Sequence, residues 1–330
     1  MATMTHDSAR RARAGIGLAL TSAVTFGLSG ALARPLLEAG WSPGAVTILR
    51  ISIGAAVVTP VGLVALGGRW HLLRRNARVI VLYGLLAVAG AQFAYFSAIQ
   101  HMQVGPALLL EYTAPAAIVL WLWLVRGERP GRTTLLGALT CAVGLVLVLD
   151  LLAGASLSLP GVLWALAAMV GCATYFLVSA DAGTELPPIT LAGCGLLVGA
   201  VGLAVLAVAG LLPLEAASTS VSYAGARVSP WVALAVLGLV TAAIAYVAGV
   251  EAGRRLGSRL ASFVALSEVV AGIGWSWALL AELPGPTQLL GGLVILGGVV
   301  LVRLGEPVRD DEPPPVPGGP EAVLRPTTGP

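Results

Sequence analysis

The 330-residue chain contains no lysine: all 19 of its basic residues are arginine, against 16 acidic ones. Charge of any sign is scarce. It makes up 11% of the residues, where soluble domains carry about 25%. With 57% hydrophobic residues and a mean hydropathy of +0.91, that shortage excludes a water-soluble fold of this length. The arginines are scattered among short connections rather than gathered on one face, so no nucleic-acid partner is expected. Cysteine is rare too. Cys141, Cys172 and Cys194 each sit inside an apolar run, an odd count without CxxC spacing, which argues against a disulfide framework or a metal site. The three histidines, His6, His71 and His101, fall outside the long apolar runs and leave an intramembrane enzyme without a His-based cluster. There is no GxxxxGK[ST] loop for a nucleotide, and no cofactor is expected.

What fills the chain is a series of apolar runs long enough to cross a hydrocarbon core about 30 Å thick. Hydropathy places ten, at about 14–33, 44–66, 78–98, 105–125, 133–152, 159–179, 189–212, 230–250, 257–281 and 287–303. The expected fold is therefore an all-α membrane protein with ten transmembrane helices. Arg10, Arg11 and Arg13 ahead of a run ending Ala31-Leu32-Ala33 imitate a signal peptide. The run is longer than a signal core and fits as the first of an even series, so it is expected to be retained. Residues 304–330, rich in Pro and Gly with the acidic triplet Asp310-Asp311-Glu312, are expected to be disordered.

Arginine placement orients the series. With the N-terminal segment 1–13 in the cytoplasm, all the arginines except Arg34, Arg227 and Arg50 fall on the cytoplasmic side. Arg34 and Arg227 fall on the far side, and Arg50 lies within span two. Both termini are thus expected in the cytoplasm of a cell whose inner membrane holds the protein. The halves also resemble each other. A shift of 154 residues lays GERPGRTTLLGAL (127–139) on AELPGPTQLLGGL (281–293), and a shift of 146 lays Gly15-Ile16 on Gly161-Val162. Five spans per half is an odd number, so the second copy (159–303) enters from the side opposite the first (14–152). Inverted repeats of this kind are a transporter architecture, with a substrate site between the repeats near mid-membrane. A complete pathway fits in one chain. A monomer is expected, with a homodimer as the alternative, and the partners are a small-molecule substrate and membrane lipid.

Three features resemble the drug/metabolite transporter superfamily, in its EamA-type branch. They are the exit of span three with Tyr95 and Ala98, the proline-bearing span four (Pro115) closing on Gly127-Glu128-Arg129, and the fifth span of each half, LLGALTCAVGLVLVL and LLGGLVILGGVVLVRL. The segment LLLEYTAP (108–115) is also similar to the LEFTGP-like stretch of the threonine/homoserine exporter branch. The resemblance implies alternating access and tilts the substrate toward amino acids, with multidrug or lipophilic-cation efflux and sugar transport as alternatives. Ala281-Glu282-Leu283 and Glu268-Val269 depart from the family pattern in the second half.

Ionisable groups inside spans are costly and persist when paired or facing an aqueous cavity. Arg50 and Glu111 each lie some six residues into a span, roughly 9 Å below the far surface at 1.5 Å per residue. That equal depth allows a pair. Arg50 would bind a substrate acid and Glu111 its amine, or the two would clamp their helices, or Arg50 would snorkel to the interface. Glu268, near the middle of span nine, is the candidate proton-coupling acid. Gln92, Tyr95, Tyr112, Tyr175, Tyr246 and Ser267 are the candidate cavity residues around these charges, and Gln92 and Tyr246 are equivalent under the 154 shift. Pro115 removes a backbone donor in mid-span and is a hinge or a static kink. The orientation is testable with fused reporters. A green fluorescent protein after Arg303 should fluoresce and one inserted between residues 213 and 230 should stay dark; the reverse pattern overturns the assignment.

Overall fold

A computed structural model describes residues 2–114, 116–117, 123–124, 127, 130–148, 158–180 and 182–305. The expected hinge Pro115, the charged turn at Arg126, Glu128 and Arg129, and most of the tail lie outside these residues. The first repeat contains α1 (Ala2–Glu38), α2 (Pro43–Ala65), α3 (His71–Arg75), α4 (Ala77–Leu82), α5 (Ala91–Ile99), α6 (Val104–Glu111) and α7 (Arg132–Val148). The second contains α8 (Leu159–Ala180), α9 (Pro188–Val208), α10 (Pro230–Gly238), α11 (Ala245–Ala265), α12 (Ser267–Leu280) and α13 (Pro286–Gly305). Prolines open several of them. At α2, Pro43 follows Ser42, whose hydroxyl accepts the Ala45 N–H at 3.2 Å, a capped start with no wasted donor.

Six helices among the described residues are long and apolar enough to cross a membrane, and α7 and α13 are shorter apolar helices. The connections gather at two ends. At one, Asn76 donates to the Thr184 carbonyl at 2.9 Å, Arg254 donates to the Thr184 hydroxyl at 2.9 Å, and Arg75 faces Glu185 at 3.6 Å. At the other, Ser42 donates to the Pro213 carbonyl at 2.8 Å, Tyr223 donates to the Leu32 carbonyl at 2.6 Å, and the Ala224 N–H donates to the Leu279 carbonyl at 2.8 Å. The first end is the arginine-rich one, as the charge asymmetry requires.

The repeats pack about a two-fold relation readable in single contacts. Helices α7 and α13 approach through glycines. A carbon added at Gly137 would sit 2.6 Å from the Gly298 carbonyl oxygen, and one added at Gly144 would sit 2.7 Å from that of Gly291. Under the 154 shift Gly137 becomes Gly291 and Gly144 becomes Gly298, so each contact is the image of the other. Between them Cys141 donates to the Ile295 carbonyl, a residue 154 positions away, at 3.6 Å. Helices α2 and α9 follow a shift of 145: Gly84 packs on the Gly195 carbonyl and Gly238 on the Arg50 carbonyl. Gly195 and Gly199 thus serve packing within the chain, Gly195 against the Tyr83 ring and Gly199 against the Gly84 carbonyl.

Both repeats also carry a π-helical segment at overlapping positions, Tyr83–Gly90 between α4 and α5 and Leu239–Ile244 between α10 and α11.

Several expectations are corrected. The chain is not purely α: Val221–Tyr223 and Ala226–Val228 form an antiparallel hairpin in the connection between α9 and α10. Its turn residues Ala224 and Gly225 have φ of 48° and 82°, both positive as the tight hairpin turn of right-handed strand twist requires. Helix α1 starts at Ala2, so segment 1–13 is continuous in helix with the first span. The boundary placed at 257 falls inside α11, and the break comes at Leu266. The fourth run is broken at the turn Tyr112–Thr113, where α6 ends, and turns helical again from Ala114, with the Ala117 N–H donating to the Thr113 carbonyl at 3.2 Å. Proline at 115 has no N–H to give the carbonyl four residues back, that of Glu111.

The glycine seam makes a stability prediction. Gly298→Ala puts a methyl 2.7 Å from the Cys141 nitrogen and should cost about 1–3 kcal/mol. Gly297→Ala meets nothing within 4 Å and should be neutral or stabilising by about 0.5–1 kcal/mol. Melting temperatures of the purified proteins in detergent read the difference; equal shifts would show that the seam is not close-packed.

Candidate functional site

A cavity lies between the repeats and encloses about 750 Å³ counting its open mouth. Its middle is lined by Gln92 from α5, Glu111 and Tyr112 from the end of α6, Tyr246 from α11 and Glu268 from α12. From there it runs toward the arginine-rich end past Ala19, Ser179, Gly253 and Ala265. Among the described residues, none that lines it belongs to the connections at the opposite end, where the path is closed. There Arg34 bridges Glu38 at 2.9 Å and Glu282 at 3.0 Å and donates to the Met102 carbonyl at 3.1 Å.

Two carboxylates face the cavity. Glu268 accepts a hydrogen bond from the Tyr112 hydroxyl at 2.6 Å, a short contact joining the fourth run to α12 across the repeat boundary. Glu111 is buried, lines the cavity and makes no side-chain hydrogen bond among the described residues. Gln92 donates to the Tyr246 hydroxyl at 3.4 Å. These are the two residues that the 154 shift makes equivalent, and they meet where the repeats meet. Aromatic rings form the remaining wall. Phe26 stands edge-on to Tyr246 with centroids 4.8 Å apart, Tyr175 edge-on to Tyr246 at 5.9 Å, and Phe176 edge-on to Tyr112 at 6.4 Å. Ring faces and carboxylates both favour a positively charged group.

The structure thus brings together six of the expected site residues: Gln92, Glu111, Tyr112, Tyr175, Tyr246 and Glu268. It sets the other three apart. Arg50 is fully buried, does not line the cavity and forms no ion pair with Glu111. Its two terminal nitrogens go to the Gln92 side-chain oxygen and to the Thr241 carbonyl, and its guanidinium carbon lies 5.4 Å from the centre of the Phe96 ring. Tyr95 packs outside the cavity, where its hydroxyl reaches Gly30. The Ser267 hydroxyl donates to the Val264 carbonyl at 2.6 Å, as helical serines do, and is not a lining group. Phe26 and Phe176 line the wall without having been singled out, and Cys172 lines it although its apolar run suggested packing alone. One signal was present: the 146 shift lays Phe26 on Cys172, so one repeat position contributes to the wall from both halves. Trp275 and Trp277 stay outside the cavity.

Comparisons with known proteins place this chain among its relatives. The model of the EamA-like transporter family matches twice, over residues 13–150 and 159–304. The threonine/homoserine exporter RhtA of Salmonella typhimurium (strain SL1344) is 29% identical over 178 residues, 53% of this chain and 56% of that protein. RhtA of Escherichia coli (strain K12) is 27% identical over 163 residues, 49% and 51% of the two chains. The uncharacterized inner membrane transporter YicL of Salmonella typhimurium (strain LT2) is 24% identical over 139 residues, 41% and 46%. The chain spans about half the length of these curated relatives. A solved crystal structure aligns with a TM-score of 0.59 over 89% of this chain and 99% of its own, at 24% identity, a likeness of fold.

The closed end carries its own prediction. Glu282 lies in the connection after α12, and burial holds its carboxyl above the ordinary range although Arg34 pulls the other way. Between the ordinary value and the raised one, the folded chain keeps this proton and the unfolded chain does not. The stability owed to the group is therefore full at acid pH and lost as pH rises through the folded value. Glu282→Gln should flatten the fall of melting temperature between acid and neutral pH. An unchanged slope would assign that dependence elsewhere.

Proposed function

We propose that this chain, which belongs to the EamA-like transporter family, is a ten-span secondary transporter that exports small polar metabolites, foremost amino acids, by alternating access. Membership makes it a membrane transporter rather than an enzyme, a multi-pass protein of the bacterial inner membrane. The observation that carries the fuller reading is the cavity at the repeat boundary, lined by two carboxylates and by the equivalent pair Gln92 and Tyr246. A substrate amine goes to Glu111 or Glu268, and its acceptor oxygens go to the amide and hydroxyl donors nearby. Glu268 is the coupling group. It takes a proton from one side, holds it while Tyr112 turns its hydroxyl to a new acceptor, and releases it to the other side as the substrate leaves. Both termini are cytoplasmic, the cavity as described faces the cytoplasm, Pro115 is the hinge of span four, and the unit is a monomer. The relatives named as threonine/homoserine exporters support threonine as the first substrate to try.

A second reading, efflux of an organic cation, is favoured by one observation: the wall is aromatic and acidic, and among the described residues no cationic side chain lines it. Proteoliposomes separate the two. Labelled threonine should move in wild-type vesicles under an imposed proton gradient. In Glu268→Gln, transport should drop about tenfold or more, the loss of one charged hydrogen bond, and stop responding to the gradient. Movement of tetraphenylphosphonium without threonine would select the cation reading, and gradient-driven threonine transport in Glu268→Gln would remove Glu268 as the coupling group.

A further inference from the structure

Arg50 is one of the costliest side chains a membrane bundle can bury, and it touches no substrate-facing space. Its chemistry explains why it is there. A guanidinium has donors only, so the atom of Gln92 that meets it must be the carbonyl oxygen. The amide nitrogen of Gln92 is then forced to the opposite side, toward Tyr246 and the cavity. Tyr246 must accept from that nitrogen, and its own proton goes to the Ala87 carbonyl at 3.4 Å. The second terminal nitrogen of Arg50 goes to the Thr241 carbonyl. Ala87 and Thr241 are themselves equivalent under the 154 shift, one in each π-helical segment. Every donor in the line Arg50, Gln92, Tyr246, Ala87 therefore points the same way.

The line exists once. Position 195, which corresponds to Arg50 in the second repeat, is a glycine filled by the Tyr83 ring.

We propose that Arg50 is a positioning residue of the transport site: it locks the Gln92 amide so that an N–H faces the cavity, and the site receives the acceptor oxygens of its substrate on this neutral donor rather than on a guanidinium. The claim rests on the reading of the chain as an amino-acid transporter. On that reading it sets the polarity of recognition, with the amine held by carboxylate and the carboxylate held by amide.

The test is the preference for L-threonine over L-threonine amide in proteoliposomes, as the ratio of their KM values. The two share amine and side chain and differ in the carboxylate. Gln92→Leu should lower the preference about tenfold. Arg50→Met should lower it by a similar factor, and the double variant should fall no further, because Arg50 acts only through Gln92. Arg50→Lys, still a pure donor, should restore the preference and guards against a misfolded Arg50→Met. Additive losses in the double variant, or an Arg50→Met that slows both substrates equally, would overturn the proposal. If wild-type vesicles move organic cations and no amino acid, the amino-acid reading fails. The same proteins are then compared on betaine against tetramethylammonium, a quaternary ammonium with a carboxylate acceptor and one without. A betaine preference lost in both single variants and no further in the double sustains the positioning role, and a preference indifferent to Arg50 refutes it.

Discussion

Inside a hydrocarbon layer a backbone carbonyl has no water to turn to, so every departure from α-helical geometry must find its partner within the protein. The two π-helical segments are such departures, and they fall on overlapping positions of the two repeats. Their carbonyls at Ala87 and Thr241 are taken by Tyr246 and Arg50. The segments lie where the repeats meet, and side chains beside them from both halves face one volume. A side-chain donor buried beside each segment is thus the condition for the cavity as much as a decoration of it.

Around this centre the chain closes with small residues. Where α7 meets α13, and where α2 and α9 meet the π-helical runs, glycine lets backbone touch backbone. Association of helices in lipid gains little from hydrophobicity and relies on such close approach. The polar and aromatic groups are concentrated instead in the interior between α1, α5, α8, α11 and α12. The seams between helices are thus lined by small residues, and the polar and aromatic groups are gathered at the cavity between them.

Much of this could be read from the residues. The internal shift of 154 anticipates the seam of α7 and α13 and the meeting of Gln92 with Tyr246, because exact offsets survive in contacts when the repeats pack about an axis. Arginine counting anticipates which connections share an end. Other features carry no local signal. A π-helical turn differs from an α-helical one by a single hydrogen-bond register, and the runs around Ala87 and Thr241 are ordinary apolar sequence. The hairpin at 221–228 turns on Ala-Gly, where sequence rules look for Asn-Gly or Asp-Gly. Depth alone paired Arg50 with Glu111, but depth says nothing of azimuth, and a half-turn separates a side chain facing a cavity from one facing the next helix. Tyr95 and Ser267 fell outside for the same reason.

One consequence of the glycine at position 195 concerns time rather than space. In an inverted repeat, exchanging the conformations of the two halves turns a state open on one side into a state open on the other. Were the halves identical, the two states would be equal in energy and the empty protein would divide its time evenly between the two faces of the membrane. Arg50 has no counterpart, so the exchange does not return the same set of contacts. The degeneracy is lifted wherever the halves differ, Arg50 against Gly195 among those places, and on the proposed alternating-access reading the empty protein acquires a preferred direction in which to wait.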